Sequence, residues 1–111
     1  MKATLAALTA IALCGLAQAA SAKGNAENGK AKAAQVCAAC HGADGAKPSA
    51  PDQPILAGQH YDYLVQALGD YKSGKRNNAI MKGFAAALSK QDIEDLAAWF
   101  SSQKSTLHFQ R

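Results

Sequence analysis

Aromatic residues, which supply much of the bulk of a small core, make up only 6% of this sequence. A chain this short buries little apolar surface and usually needs a staple. Cysteine is equally scarce: Cys14, Cys37 and Cys40 are the three present. Cys14 lies in an apolar N-terminal stretch, so the folded part has two thiols three positions apart. A disulfide between them closes a tiny loop and stabilises little. No second cysteine pair is available to complete a zinc site. No stretch alternates apolar and polar residues long enough for a strand, so a thioredoxin-type redox site in a βαβ unit is excluded. There is no Ser-His-acid set, no carboxylate pair in a plausible cleft and no phosphate-binding glycine loop. No basic run points to nucleic acid.

What is present begins with a leader. Met1-Lys2 is a short positive start, Leu5 to Leu16 is apolar and uncharged, and Ala17-Gln18-Ala19 and Ala20-Ser21-Ala22 each offer small-x-small cleavage. Residues 1–22 read as a secretory signal peptide, too short and wrongly flanked for a membrane span. Cleavage after Ala22 is favoured, with Ala19 as the alternative. Cys14 leaves with the leader; the bulky Leu13 before it argues against lipid attachment. Residues 23–111 then form one domain, with 11 of the 12 Lys and Arg left against 8 acids, a net of +3.

Asn25 is a candidate N-cap, with Glu27 in the first turn and helix formers through Cys37. This helix is expected to end at His41-Gly42. Ala43 to Gln59 reads as loop and holds all three prolines, Pro48, Pro51 and Pro54. A loop this long is more credible wrapped over a cofactor. His60 to Ser73 reads as a second helix, with Tyr61, Leu64, Val65, Leu68 and Tyr71 on one face. Lys75 to Gly83 reads as an irregular, turn-rich segment containing Met81, followed by a short helical turn over Phe84 to Leu88. Ser89 opens a third main helix as N-cap, with Asp92 placed for a capping box. Its buried stripe is Ile93, Leu96, Ala97 and Phe100, and it fades near Lys104. The fold class is all-α: three main helices with long loops.

The decisive motif is Cys37-Ala38-Ala39-Cys40-His41, two thiols and an adjoining imidazole in the pattern of c-type haem attachment. A helical turn brings both sulfurs to one side, where each can add to one vinyl group of the rigid porphyrin. His41 is then placed to ligate iron. Met81 is the one methionine left after the leader, and its soft thioether suits an iron that cycles between oxidation states. His60 and His108 compete for that second axial position. One covalently attached haem c would also replace the missing core.

These residues resemble a class I c-type cytochrome of the small bacterial periplasmic monohaem kind, and are similar to one half of its dihaem members. The resemblance runs through Gly29, Cys37 to Gly42, Pro54 to Gln59, Tyr63, Gly74 to Asn77, Met81 and Ser89 to Phe100. It implies a cytochrome c fold wrapped around one haem. It further implies that the Pro54 carbonyl accepts a hydrogen bond from His41 and that Leu56 packs on the haem. Gly29 and Trp99 would mark the crossing of first and last helices. Ala33 departs from the pattern, where many relatives carry an aromatic residue. Arg76 and Lys75 are candidates for gripping the haem propionates, the alternative being a solvated basic turn.

The function implied is electron transfer in the periplasm, with no catalytic residues of the chain's own. Expected partners are a quinol-oxidising complex or dehydrogenase on one side and a terminal oxidase or reductase on the other. The positive charge would steer encounter with acidic surfaces. A haem c subunit of a periplasmic oxidoreductase is the alternative, and a gas-binding sensor a further one. The simplest expectation is a monomer without nucleic acid and without a membrane span.

Overall fold

The computed structural model describes residues 24–105. The leader 1–22, Cys14 and His108 lie outside these residues. Five helices follow in order, with no strand among the described residues: α1 Ala26–Val36, α2 Ala38–His41, α3 Tyr61–Ser73, α4 Ala79–Ala86 and α5 Lys90–Ser101. None of these is long and apolar enough to cross a membrane.

Local chemistry sets most boundaries. The Asn25 side chain accepts from the Asn28 amide at 3.0 Å and starts α1. Ser89 and Asp92 form a full capping box: Asp92 N–H donates to Ser89 Oγ at 3.0 Å and Ser89 N–H to Asp92 Oδ2 at 2.9 Å. Gly74 ends α3 in the left-handed region at φ 85°, a conformation that costs glycine nothing.

Two expectations need correction. The first helix does not run unbroken to His41; Val36 ends α1, and Cys37 separates it from the one-turn α2. Lys75 to Gly83 is not irregular throughout, and the short helix does not begin at Phe84. Asn78 caps α4 by accepting from the Met81 amide at 3.0 Å, so Met81 stands on a helix. Gly83 weakens the local helical signal, but the Asn78 cap and packing on α3 outweigh it.

Helices α1 and α5 form the main crossing, and Gly29 lets them touch. A Cβ there would lie 2.0 Å from the Asp95 carbonyl oxygen and 2.9 Å from Trp99 Cβ. Beside it Asp95, only 5% exposed, accepts from Asn25 N–H at 2.6 Å and Gln91 Nε2 at 2.8 Å. Ala33, the residue that departs from the family pattern, is fully buried in the same core. Trp99 donates Nε1–H to the Ala43 carbonyl at 3.1 Å, tying α5 to the start of the long loop. The core joins Ala33, Leu64, Leu88, Ile93, Leu96 and Phe100, but Leu96 is the largest side chain fully removed from solvent. The protein interior is therefore thin, and the space it does not fill is the site.

Candidate haem site

The segment 43–59 forms a wall rather than a free loop. Gly45 O accepts from the Leu56 and Ala57 amides at 2.8 and 3.2 Å, and Gly58 N–H donates to Phe100 O at 2.9 Å. Ser49 N–H donates to Cys40 O at 2.9 Å, while Gln53 Oε1 gathers Ser49 N–H, Ser49 Oγ–H and Ala50 N–H at 2.8–3.1 Å. These bonds fold the proline-rich stretch back over α2. They bring the Pro54 carbonyl to 2.9 Å from His41 Nδ1. A carbonyl can only accept, so Nδ1 carries the hydrogen and Nε2 keeps the lone pair needed by a metal ligand. His41 is 6% exposed, so the imidazole is held in a dry setting.

A cavity of about 440 Å³ opens beside this imidazole. Cys37, Cys40, His41, Pro54 and Leu56 line it from one side, and Arg76 and Met81 from the α3–α4 side. All seven sequence-predicted site residues therefore meet at one cavity. Lys75 and His60 are not in its lining. His60 is an exposed residue at the N-cap of α3. The remaining walls are chiefly apolar, with Leu64, Leu68, Phe84, Leu88, Leu96 and Phe100.

The donor chemistry fits a haem. Both thiols are free, half-buried and on neighbouring positions of a helical turn. Burial, and then the nearby Cys40, push the Cys37 thiol up to about 11, so it remains S–H at neutral pH. The half-buried Met81 adds a thioether from α4. Among the described residues no group of three or more His, Cys, Asp and Glu could hold a metal ion, so the cysteine pair lacks the partners of a zinc site. A planar apolar cofactor anchored by thiols and gripped by nitrogen and sulfur matches both the lining and the missing core.

Arg76 is positioned by two tyrosines. Nη1 donates to Tyr63 Oη at 3.1 Å, and the guanidinium carbon lies 4.9 Å from the centroid of Tyr71. The hydrogen bond to Tyr63 raises its already high pKa, so it is a permanent cation. Sequence reasoning missed Asn78, which caps α4 and also lines the cavity. Its spacing to Met81, an Asn three residues before a helical amide, was the available signal.

Comparison with known proteins agrees with this geometry. Cytochrome c4 of Pseudomonas aeruginosa is 49% identical over 58 residues, covering 52% of this chain and 29% of that protein. Cytochrome c-554(548) of Halomonas halodenitrificans is 43% identical over 58 residues, covering 50% of this chain and 70% of that one. The crystal structure of reduced recombinant cytochrome c4 from Pseudomonas stutzeri superposes with a TM-score of 0.67 at 47% identity, over 73% of this chain and 46% of that chain. The chain thus matches one half of the longer cytochrome c4 proteins. The cytochrome c family itself matches over residues 26–104, and this chain belongs to it.

Proposed function

We propose that residues 23–111 form a periplasmic one-electron carrier, exported by the leader 1–22. It would hold one haem c through Cys37 and Cys40, with His41 and Met81 as the residues that would ligate its iron. When bound, the haem supplies the reversible one-electron change at iron. The chain's residues set its terms. The Pro54 carbonyl fixes the His41 ring and raises the basicity of Nε2. Met81 supplies a soft sulfur that raises the potential, and Leu56, Leu64 and Phe100 keep water from the cavity. Arg76, held by Tyr63 and Tyr71, presents a planar fork to a propionate. The electron would come from a quinol-oxidising complex or dehydrogenase and go to a terminal oxidase or reductase.

The observation that carries this reading is the convergence of the Cys37–His41 turn and Met81 on one apolar cavity.

The test is the matured protein and its Met81→Ala variant. The parent should carry one covalently bound haem. Its ferric form should show the weak near-infrared sulfur-to-iron band, and its reduced form should bind carbon monoxide slowly. The variant should have a lower potential and bind carbon monoxide at once. An unchanged potential and spectrum in the variant would remove Met81 from the iron. Rapid binding by the parent would favour a gas-binding protein instead.

A further inference from the structure

Pro54 offers its carbonyl to a buried imidazole from an exposed position. The residue itself is exposed, whereas His41 is buried and donates Nδ1–H to Pro54 O at 2.9 Å. Proline has no N–H, so its own amide cannot anchor it. The anchors must come from its neighbours. On one side the Leu56 amide is held by Gly45 O at 2.8 Å. On the other side stands Gln53.

Gln53 Oε1 accepts from Ser49 N–H at 3.1 Å, Ser49 Oγ–H at 2.8 Å and Ala50 N–H at 3.0 Å. The Ser49 amide is shared, because it also donates to Cys40 O at 2.9 Å. Cys40 directly precedes His41 in the chain. The contacts therefore close a ring: Cys40 to Ser49, Ser49 to Gln53, Gln53 along the chain to Pro54, Pro54 to His41, and His41 back to Cys40. Without Oε1, the bond from Gln53 N–H to Ala50 O at 3.1 Å is left to close the turn through the exposed Pro51 and Asp52. Water then has access to compete for the imidazole proton.

We infer that Gln53 is a positioning residue for His41: its side-chain oxygen holds the turn 49–53 closed, which keeps the Pro54 carbonyl aimed at Nδ1 and so helps set the haem potential, given His41 as the iron ligand proposed above. A firmly held acceptor at Nδ1 raises the basicity of Nε2. A more basic ligand favours the ferric state, which carries the higher charge, and so lowers the potential. Loosening the turn weakens the acceptor and raises the potential.

The experiment compares the haem-loaded parent with Gln53→Leu, Gln53→Glu, Ser49→Ala and Ser89→Ala. Two quantities are read. One is the exchange rate of the His41 Nδ1 proton, by NMR of the diamagnetic carbon monoxide adduct of the reduced protein. The other is the midpoint potential, by optical titration. Gln53→Leu should exchange this proton about tenfold faster. It should also shift the reduced-to-oxidised ratio at fixed poise about threefold toward reduced, or about 30 mV upward at about 59 mV per tenfold. Gln53→Glu keeps the acceptor oxygen, so its exchange should stay within about twofold of the parent. Ser49 lies outside the cavity lining, and Ser49→Ala removes one of the three donors. It should move both quantities in the direction of Gln53→Leu by a smaller amount, and it carries the test if Gln53→Leu fails to take up haem. Ser89→Ala removes the cap of α5, remote from this turn, and should leave both quantities unchanged. A raised potential in Gln53→Leu with unchanged exchange would assign the effect to solvent access and overturn the inference. So would exchange in Gln53→Glu as fast as in Gln53→Leu, or equal changes in Ser89→Ala. The adduct replaces whatever group holds the far side of the iron, so the exchange comparison does not depend on Met81. A parent without the sulfur-to-iron band, or without reversible oxidation by ferricyanide, would remove the carrier reading and leave the role of Gln53 standing.

Discussion

The same substitution at two glycines should move stability in opposite directions. At Gly29 an added methyl would sit 2.0 Å from the Asp95 carbonyl oxygen, about 1.4 Å inside ordinary contact, which begins near 3.4 Å. The obstacle is backbone, so no rotamer change relieves it, and α5 must move away from α1. Gly→Ala recovers about 1 kcal/mol of helix propensity. Overpacking costs about 1–3 kcal/mol, and a backbone clash this deep falls at or above the top of that range. The net expectation for Gly29→Ala is a loss of about 2 kcal/mol. At Gly69, within α3, an added methyl would meet no atom within 4 Å, so Gly69→Ala should gain up to about 1 kcal/mol. For a domain of this size each kcal/mol moves Tm by about 4–8 °C. Thermal unfolding of the ferric haem-loaded protein, read by helical ellipticity and haem absorption together, measures both. A neutral or stabilising Gly29→Ala would refute the close crossing. Equal losses at the two sites would show that neither depends on local space.

Three further outcomes follow from the α5 network. Asp92 is held below the usual carboxylate range chiefly by the hydrogen bond from the Ser89 amide. Its folded value is depressed, so its contribution is present above the unfolded value of 3.8 and is lost as pH falls through the folded value. Asp92→Asn should therefore be less stable than the parent at pH 7, with the gap closing in acid; a constant gap across denaturant titrations from pH 7 to pH 2 would dismiss the ionised cap. Ser89→Ala should cost about 1 kcal/mol at neutral pH by the same titration. Asp95→Ala strands the Asn25 amide at the buried crossing and should cost about 1–3 kcal/mol. If its loss instead matches that of Glu94→Ala on the same helix, the Asp95 contact carries no special weight.

How much of the fold is legible in the sequence varies with the range of the forces involved. Asn25, Ser89 and Asp92 announce helix starts because capping bonds span only three residues. The break at Cys37 is hidden, since alanine-rich sequence on both sides reads as continuous helix. Helix α4 reads as shorter and later than it is because Gly74, Asn77 and Gly83 all signal turns. Its true start depends on the Asn78 cap and its persistence on packing against α3.

The sequence by itself determined the attachment motif, the all-α class and the helix caps, because each depends on residue types at fixed short spacing. Only the tertiary structure decided that the proline-rich segment folds back to set Pro54 O at 2.9 Å from the imidazole. It alone placed Met81 on a helix lining the cavity shared with Cys37 and His41. Such contacts join residues far apart in the chain. Their existence rests on loop closure and shared burial, which no local pattern encodes.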